Sequence, residues 1–213
     1  MEELILQAPK GVAPSVSGTQ TVRSQTPSIV YEGIEIHSGD LLLSRGGAPT
    51  SAFISRGSDY PGNFSHVALV HIDENSTEVS IVEAHIERGV AVSTVEEYFR
   101  DKKLRVLVLR LRADHPKLET KPMLPHLAAS AALKDVRSRH IPYDFAMDVE
   151  ESEKQFCSEV ASSVYAAEGV KLWAFPSTFS SPGLARWMSA LGVENLETHG
   201  PSDLEYDPQD LVR

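Results

Sequence analysis

The chain has 213 residues, of which 41% are hydrophobic and 23% charged, an ordinary balance for a globular domain. Its formal charge of -10 argues against nucleic acid or an anionic membrane as the main partner, because phosphate binding needs clustered Lys and Arg. A single cysteine excludes an internal disulfide, and with dispersed histidines it does not supply a zinc site.

The chain opens Met1-Glu2-Glu3 with no basic segment leading into an apolar stretch, so no secretory signal is read. The cytoplasm is the default compartment, although leaderless export fits the same sequence. Residues 7–28 are rich in Pro, Gly, Ser, Thr and Gln, and 1–33 is read as a flexible arm. One domain is expected over 34–195, then an acidic, frayed tail over 196–213. Leu41-Leu42-Leu43 reads as a buried strand, followed by a long loop over 46–63. Strands are expected over 64–72 and 78–85, joined by the turn Asp73-Glu74-Asn75-Ser76-Thr77. A short strand over 90–93 leads to Thr94, which caps a helix over 95–100, and 104–111 is a further strand. Helices are expected over 126–139, 157–168 and 182–191. Val67–Val70 and Val106–Leu109, the longest apolar runs, are far too short to cross a bilayer. Strands first and helices afterwards imply an α+β domain with a small, mainly antiparallel sheet packed against helices.

Cys157 stands at the expected start of a helix, where unpaired backbone N–H groups and the positive end of the macrodipole favour a thiolate. The competing reading is a small buried hydrophobe. A nucleophilic cysteine needs a base and a group that orients the base. Among eight histidines, His66 lies inside the apolar strand Phe64-Ser65-His66-Val67-Ala68-Leu69-Val70. His37, His115, His140 and His199 sit in polar or loop-like context and are expected to be solvated. A hairpin centred near Asn75 pairs positions summing to about 150, which puts the partner of His66 near Glu83 or Ala84. Glu83 lies in Ser80-Ile81-Val82-Glu83-Ala84, where an ionised carboxylate needs a partner. A structural His–Glu pair is the alternative. By role the three are nucleophile (Cys157), general base and acid (His66) and orienter (Glu83). No Gly-x-Ser-x-Gly elbow offers a serine instead, and no cofactor motif occurs.

The blocks Gly39-Asp40-Leu41-Leu42, Ser65-His66-Val67-Ala68-Leu69-Val70, Val82-Glu83-Ala84, Tyr143-Asp144-Phe145 and Phe156-Cys157-Ser158-Glu159-Val160, in that order, resemble the permuted papain-like hydrolases. The nearest group is the YiiX-like branch of the NlpC-type superfamily, over about residues 36–170. The order His, Glu, Cys is a circular permutation of the papain order. The resemblance implies a papain-like fold, a Cys157–His66–Glu83 constellation, and Tyr143 and Ser158 as substrate-binding or oxyanion residues. Asp40 is assigned to a turn or sheet edge. The activity implied is that of a thiol protease or amidase, acting through a thioester on short peptides, including peptidoglycan peptides, or on an amide in a protein. A cell-wall substrate would require leaderless export, as for a bacterial effector. Two alternatives stay open. One is a lipid thioesterase or acyltransferase of the lecithin–retinol acyltransferase type, with Leu172-Trp173-Ala174-Phe175 and Phe179 as an apolar surface. The other is a non-catalytic binding module.

Overall fold

A computed structural model gives the architecture of residues 3–6, 15–17, 25–57, 62–100 and 103–173, and of segments 177–178, 182–190, 192–193, 195, 197–205 and 211–212. In chain order the elements are β1 (Glu3–Leu6), β2 (Ser15–Ser17), β3 (Ser28–Tyr31), β4 (Ile34–His37), β5 (Leu41–Gly46), α1 (Pro49–Arg56), β6 (His66–Ile72), β7 (Val79–His85) and β8 (Gly89–Thr94). They continue with α2 (Val95–Arg100), β9 (Lys103–Leu111), α3 (Pro116–Thr120), α4 (Leu124–Ser138), α5 (Glu159–Ala167), β10 (Ser177–Thr178) and α6 (Pro182–Ala190). The last are β11 (Glu197–Thr198), a 3-10 turn over Pro201–Glu205, and β12 (Leu211–Val212).

The main sheet runs β2-β1-β9-β5-β6-β7-β8, with β12 on β9, and every pairing in it is antiparallel. Alternation along the central strands sorts their side chains onto two faces. Leu41, Leu43, Val67, Leu69, Val82 and Ala84 join residues of α4 and α5 in the larger core. Leu42, Ala68, Val70, Ile72, Ile81, Val106 and Val108 join β4 and Tyr98 in the smaller one. The sheet-and-helix expectation therefore holds; β6 to β9 fall within two residues of their expected bounds, and β5 runs three residues past Leu43.

Several local expectations change. Ser28–Tyr31 already forms a hairpin with Ile34–His37, and β1 pairs with β9, so the 1–33 span contributes strands to the fold. Pro49–Arg56, expected as loop, is a helix with Pro at its start, a position where proline's fixed φ and missing N–H cost nothing. Residues 201–204, expected to fray, are buried, and the Ser202 hydroxyl donates to the Phe64 carbonyl (2.7 Å) while accepting from the Phe64 N–H (3.1 Å). Thr94 caps α2 as expected, in a reciprocal box: Glu97 N–H donates to its hydroxyl at 3.1 Å, and its own N–H donates to the Glu97 carboxylate at 2.9 Å. Asp40 serves the turn before β5, accepting from the His37 N–H (2.8 Å) and, bidentately, from Arg110 (both 2.8 Å). The Tyr165 hydroxyl donates to the Gly39 carbonyl at 2.6 Å, tying α5 to that same turn. Gly39 has φ +98°, and a Cβ there would lie 2.3 Å from that of Pro125, so only glycine lets α4 approach. Leu172 and Trp173 are core residues, Trp173 donating from Nε1 to the Gly200 carbonyl (2.9 Å), and neither forms an apolar rim. Ala174, Phe175 and Phe179 lie outside the described residues.

Candidate active site

The site lies at one end of the sheet, where β6 begins and β7 finishes. Ala68 pairs with Glu83, so partners sum to 151 rather than 150, and His66, Ala68, Glu83 and His85 share one face of the sheet. His66 thus reaches Glu83 along a diagonal, not from directly opposite, and its Nε2 lies 2.8 Å from Glu83 Oε2. Ser93, on β8, donates from Oγ to Glu83 Oε1 at 2.9 Å. Cys157 belongs to the larger core, on the helix side of the sheet. It meets His66 only because both stand at the sheet's end, where helix and strand side chains are not separated by the ladder.

Cys157 is one step short of the regular helix, which begins at Glu159; Cys157 and Ser158 form the turn into it. Its sulfur lies near the His66 ring, the Val67 N–H and the Ser158 hydroxyl. Burial would push the thiol up, but these contacts outweigh it and hold Cys157 below its ordinary value. His66 moves the other way: burial opposes its charge, while Cys157 and Glu83 favour it and raise it to about 9. Each group thus favours the charged form of the other. For Glu83, burial would raise the carboxyl, and the contact with His66 foremost reverses that and holds it well below the carboxylate range. With Nε2 committed to Glu83, the ring leaves Nδ1 for the thiol.

A cleft of about 360 Å³ opens onto this group, and Ser51 and Ile54 of α1, His85, Glu87, Tyr143 and Cys157 are among the residues lining it. The 46–63 stretch thus supplies one wall through α1. Tyr143 forms an isolated bridge with Gln155, its ring lies 5.1 Å from that of Phe145, and its hydroxyl is pushed above its ordinary value, first by burial and then by Cys157. Asp144 holds this loop by accepting from the Ala146 N–H (2.9 Å) and Asp148 N–H (2.6 Å). Ser158 is fully buried, and its Oγ has no partner beyond the neighbouring sulfur.

All five expected site residues therefore converge. His85, which contacts Glu83 as well, was not anticipated; its signal was the two-residue spacing from Glu83 on one strand. Of the histidines expected to be solvated, His37 is buried and bonded to Thr26, and His199 is half-buried, stacked on Trp173 with ring centroids 5.6 Å apart.

Glu159, two residues past the cysteine, is buried and accepts from the Phe156 N–H at 2.9 Å. Burial, reinforced by Asp144, Cys157 and Asp148, pushes its carboxyl up from 4.5 to about 8. The folded chain therefore keeps a proton that the unfolded chain loses, and stability falls as pH rises from about 4.5 through 8. Glu159→Gln keeps an acceptor for the Phe156 N–H and removes this loss. Thermal unfolding at pH 5 and pH 8 should show the variant gaining about 2–3 kcal/mol relative to wild type at the higher pH.

The model of the permuted papain-like amidase enzymes, YaeF/YiiX, C92 family, matches residues 35–209. No curated protein matches the chain. Among solved structures, metalloprotein yiiX from Escherichia coli O157:H7 has the same fold, with a TM-score of 0.61 and 20% identity over 82% of this chain and 94% of that one. Among the described residues, no three His, Cys, Asp or Glu side chains come together in a way that could hold a metal ion. With a model match over most of its length and the same fold, the chain belongs to the YaeF/YiiX, C92 family of permuted papain-like amidase enzymes.

Proposed function

We propose that the protein is a cysteine amidase or peptidase in which Cys157 is the nucleophile, His66 the general base and then acid, and Glu83 the orienter of the imidazole. The observation that carries this reading is the His66 ring held between the Glu83 carboxylate at 2.8 Å and the sulfur. The thiolate attacks an amide carbonyl. His66 gives its proton to the leaving amine, and water then attacks the thioester with His66 as base, which restores the thiol and releases the acid. The Cys157 N–H and the Tyr143 hydroxyl are the donors proposed for the tetrahedral oxyanion, each worth about 3–4 kcal/mol of barrier. Ser158 supports the thiolate from beside it.

The substrate class proposed is a short peptide amide, cell-wall peptides included, entering between α1 and the 85–89 turn. Among the described residues no helix is long and apolar enough to cross a membrane. Leu172 and Trp173, offered as apolar surface for a lipid substrate, are instead spent on the core.

The test is a panel of muropeptides, peptidyl amides and acyl thioesters, read beside the iodoacetamide alkylation rate of the single thiol from pH 4 to 10. Amide turnover with an alkylation midpoint well below about 8.5 is expected. Turnover of thioesters alone would move the protein to the lipid class. An ordinary thiol midpoint with no turnover would leave only a binding module.

A further inference from the structure

Glu83 has a second histidine. His85, the last residue of β7, places Nε2 3.3 Å from Glu83 Oε1, and the same Nε2 lies 2.8 Å from Nη2 of Arg88 in the turn to β8. These contacts exclude one another. A guanidinium N–H can only donate, so a nitrogen that accepts from Arg88 carries a lone pair, and the ring proton sits on Nδ1. That lone pair faces Glu83 without bonding to it. If Nε2 carries the proton instead, it donates to Oε1 and Arg88 must let go. The shorter contact is the one to Arg88.

The turn is well placed to hold this arrangement. Gly89 has φ +72°, a Cβ there would stand 2.1 Å from the Ile141 carbonyl oxygen, and the Val90 N–H donates to that oxygen at 2.9 Å. This pins the turn carrying Arg88 against the segment after α4. The rings of His66 and His85 are 6.3 Å apart, and the two share one carboxylate.

We propose that Arg88 and His85 are positioning residues for the catalytic imidazole. By occupying the His85 lone pair, Arg88 keeps His85 from donating to Glu83, and the carboxylate charge stays available to His66. With Arg88 gone, Oε1 takes two donors, Ser93 and His85, and Glu83 stabilises the His66 imidazolium less. The Cys157 thiolate, which depends on that imidazolium, then forms at higher pH. The charged or titratable groups around His85 are Glu83 on its own strand, Arg88 and Glu87 in the turn, His66 on β6, Tyr143 and Cys157 ahead of α5, and Lys103 on β9.

This rests on the Cys157–His66–Glu83 reading, and the experiment separates the two. Because Cys157 is the only thiol, its alkylation rate against pH reports the pair without any substrate. Wild type, His66→Ala, Arg88→Ala, His85→Ala and the Arg88→Ala/His85→Ala double variant are compared, with His85→Leu repeating the background at fuller volume. Arg88→Ala should raise the midpoint by about half a pH unit, slowing alkylation about threefold on the rising limb. In either His85 background the same substitution should change nothing. A midpoint that Arg88→Ala leaves unmoved, or moves equally without His85 through loss of a distant charge, overturns the proposal alone. An ordinary thiol profile in wild type, indifferent to His66→Ala, overturns the underlying reading and this proposal with it.

Discussion

Cys157→Ala should abolish amide turnover while leaving the fold intact. The sulfur is the atom that forms and then loses the bond to the acyl group, and no other thiol exists to replace it. Loss of a nucleophile from a triad that acts as a unit costs on the order of 10⁴-fold or more in kcat. The substitution is mild for stability: Cys157 is buried, and deleting one atom from a packed site costs about 1 kcal/mol. Cys157→Ser should be nearly as inactive, since the thiolate–imidazolium pair depends on a group that ionises near neutrality and a serine hydroxyl does not. Hydrolysis of the best peptide substrate and intact-mass detection of a trapped thioester check this together. Turnover retained in the alanine variant would remove the cysteine mechanism.

How much of this could be read in advance depended on whether a signal was local. The β6–β7 hairpin is announced by Asp73-Glu74-Asn75-Ser76-Thr77 between two apolar runs, and symmetry about that turn brings Glu83 to His66. The register differs by one from the expected sum: 150 would set Ala84 opposite His66, whereas 151 sets His85 there and leaves Glu83 on the diagonal of the same face. Long side chains tolerate that, because diagonal neighbours remain within reach. Helix α1 escaped because its span is framed by Gly46, Gly47, Gly57, Pro61 and Gly62, and glycine and proline punctuate loops more often than they flank a helix of about two turns. The burial of Ser202 and Trp173 depends on contacts across 138 and 27 residues of sequence, which no periodicity encodes. The Cys157 helix was placed two residues early for a chemical reason: the nucleophile sits in the non-repetitive turn before Glu159.

Glu83→Ala should have the second-largest effect, and its pH dependence is the more informative part. Glu83 is almost fully buried, bonds His66 and Ser93, and faces His85. Removing it frees the imidazole to rotate away from the sulfur and withdraws the charge that stabilises its protonated form, so kcat should fall roughly 10²–10⁴-fold. Glu83→Gln, which can accept a hydrogen bond but carries no charge, should recover geometry without recovering the rate. Stability should fall by about 2–4 kcal/mol, because a buried charged group loses its counterpart. Two linked titrations set the pH window of that loss. The Glu83 carboxyl is depressed from 4.5, so its contribution is present above about 4.5 and is lost as pH falls through the lower folded value. His66 is raised from 6.5 to about 9, so its contribution is full below about 6.5 and is lost as pH rises through 9. The gap in unfolding free energy between wild type and Glu83→Ala is therefore widest between about pH 4.5 and 6.5 and narrows on both sides. Urea unfolding at pH 3, 5.5 and 9.5 measures it, and a gap that stays constant across the three would mean that Glu83 stabilises the site by packing alone.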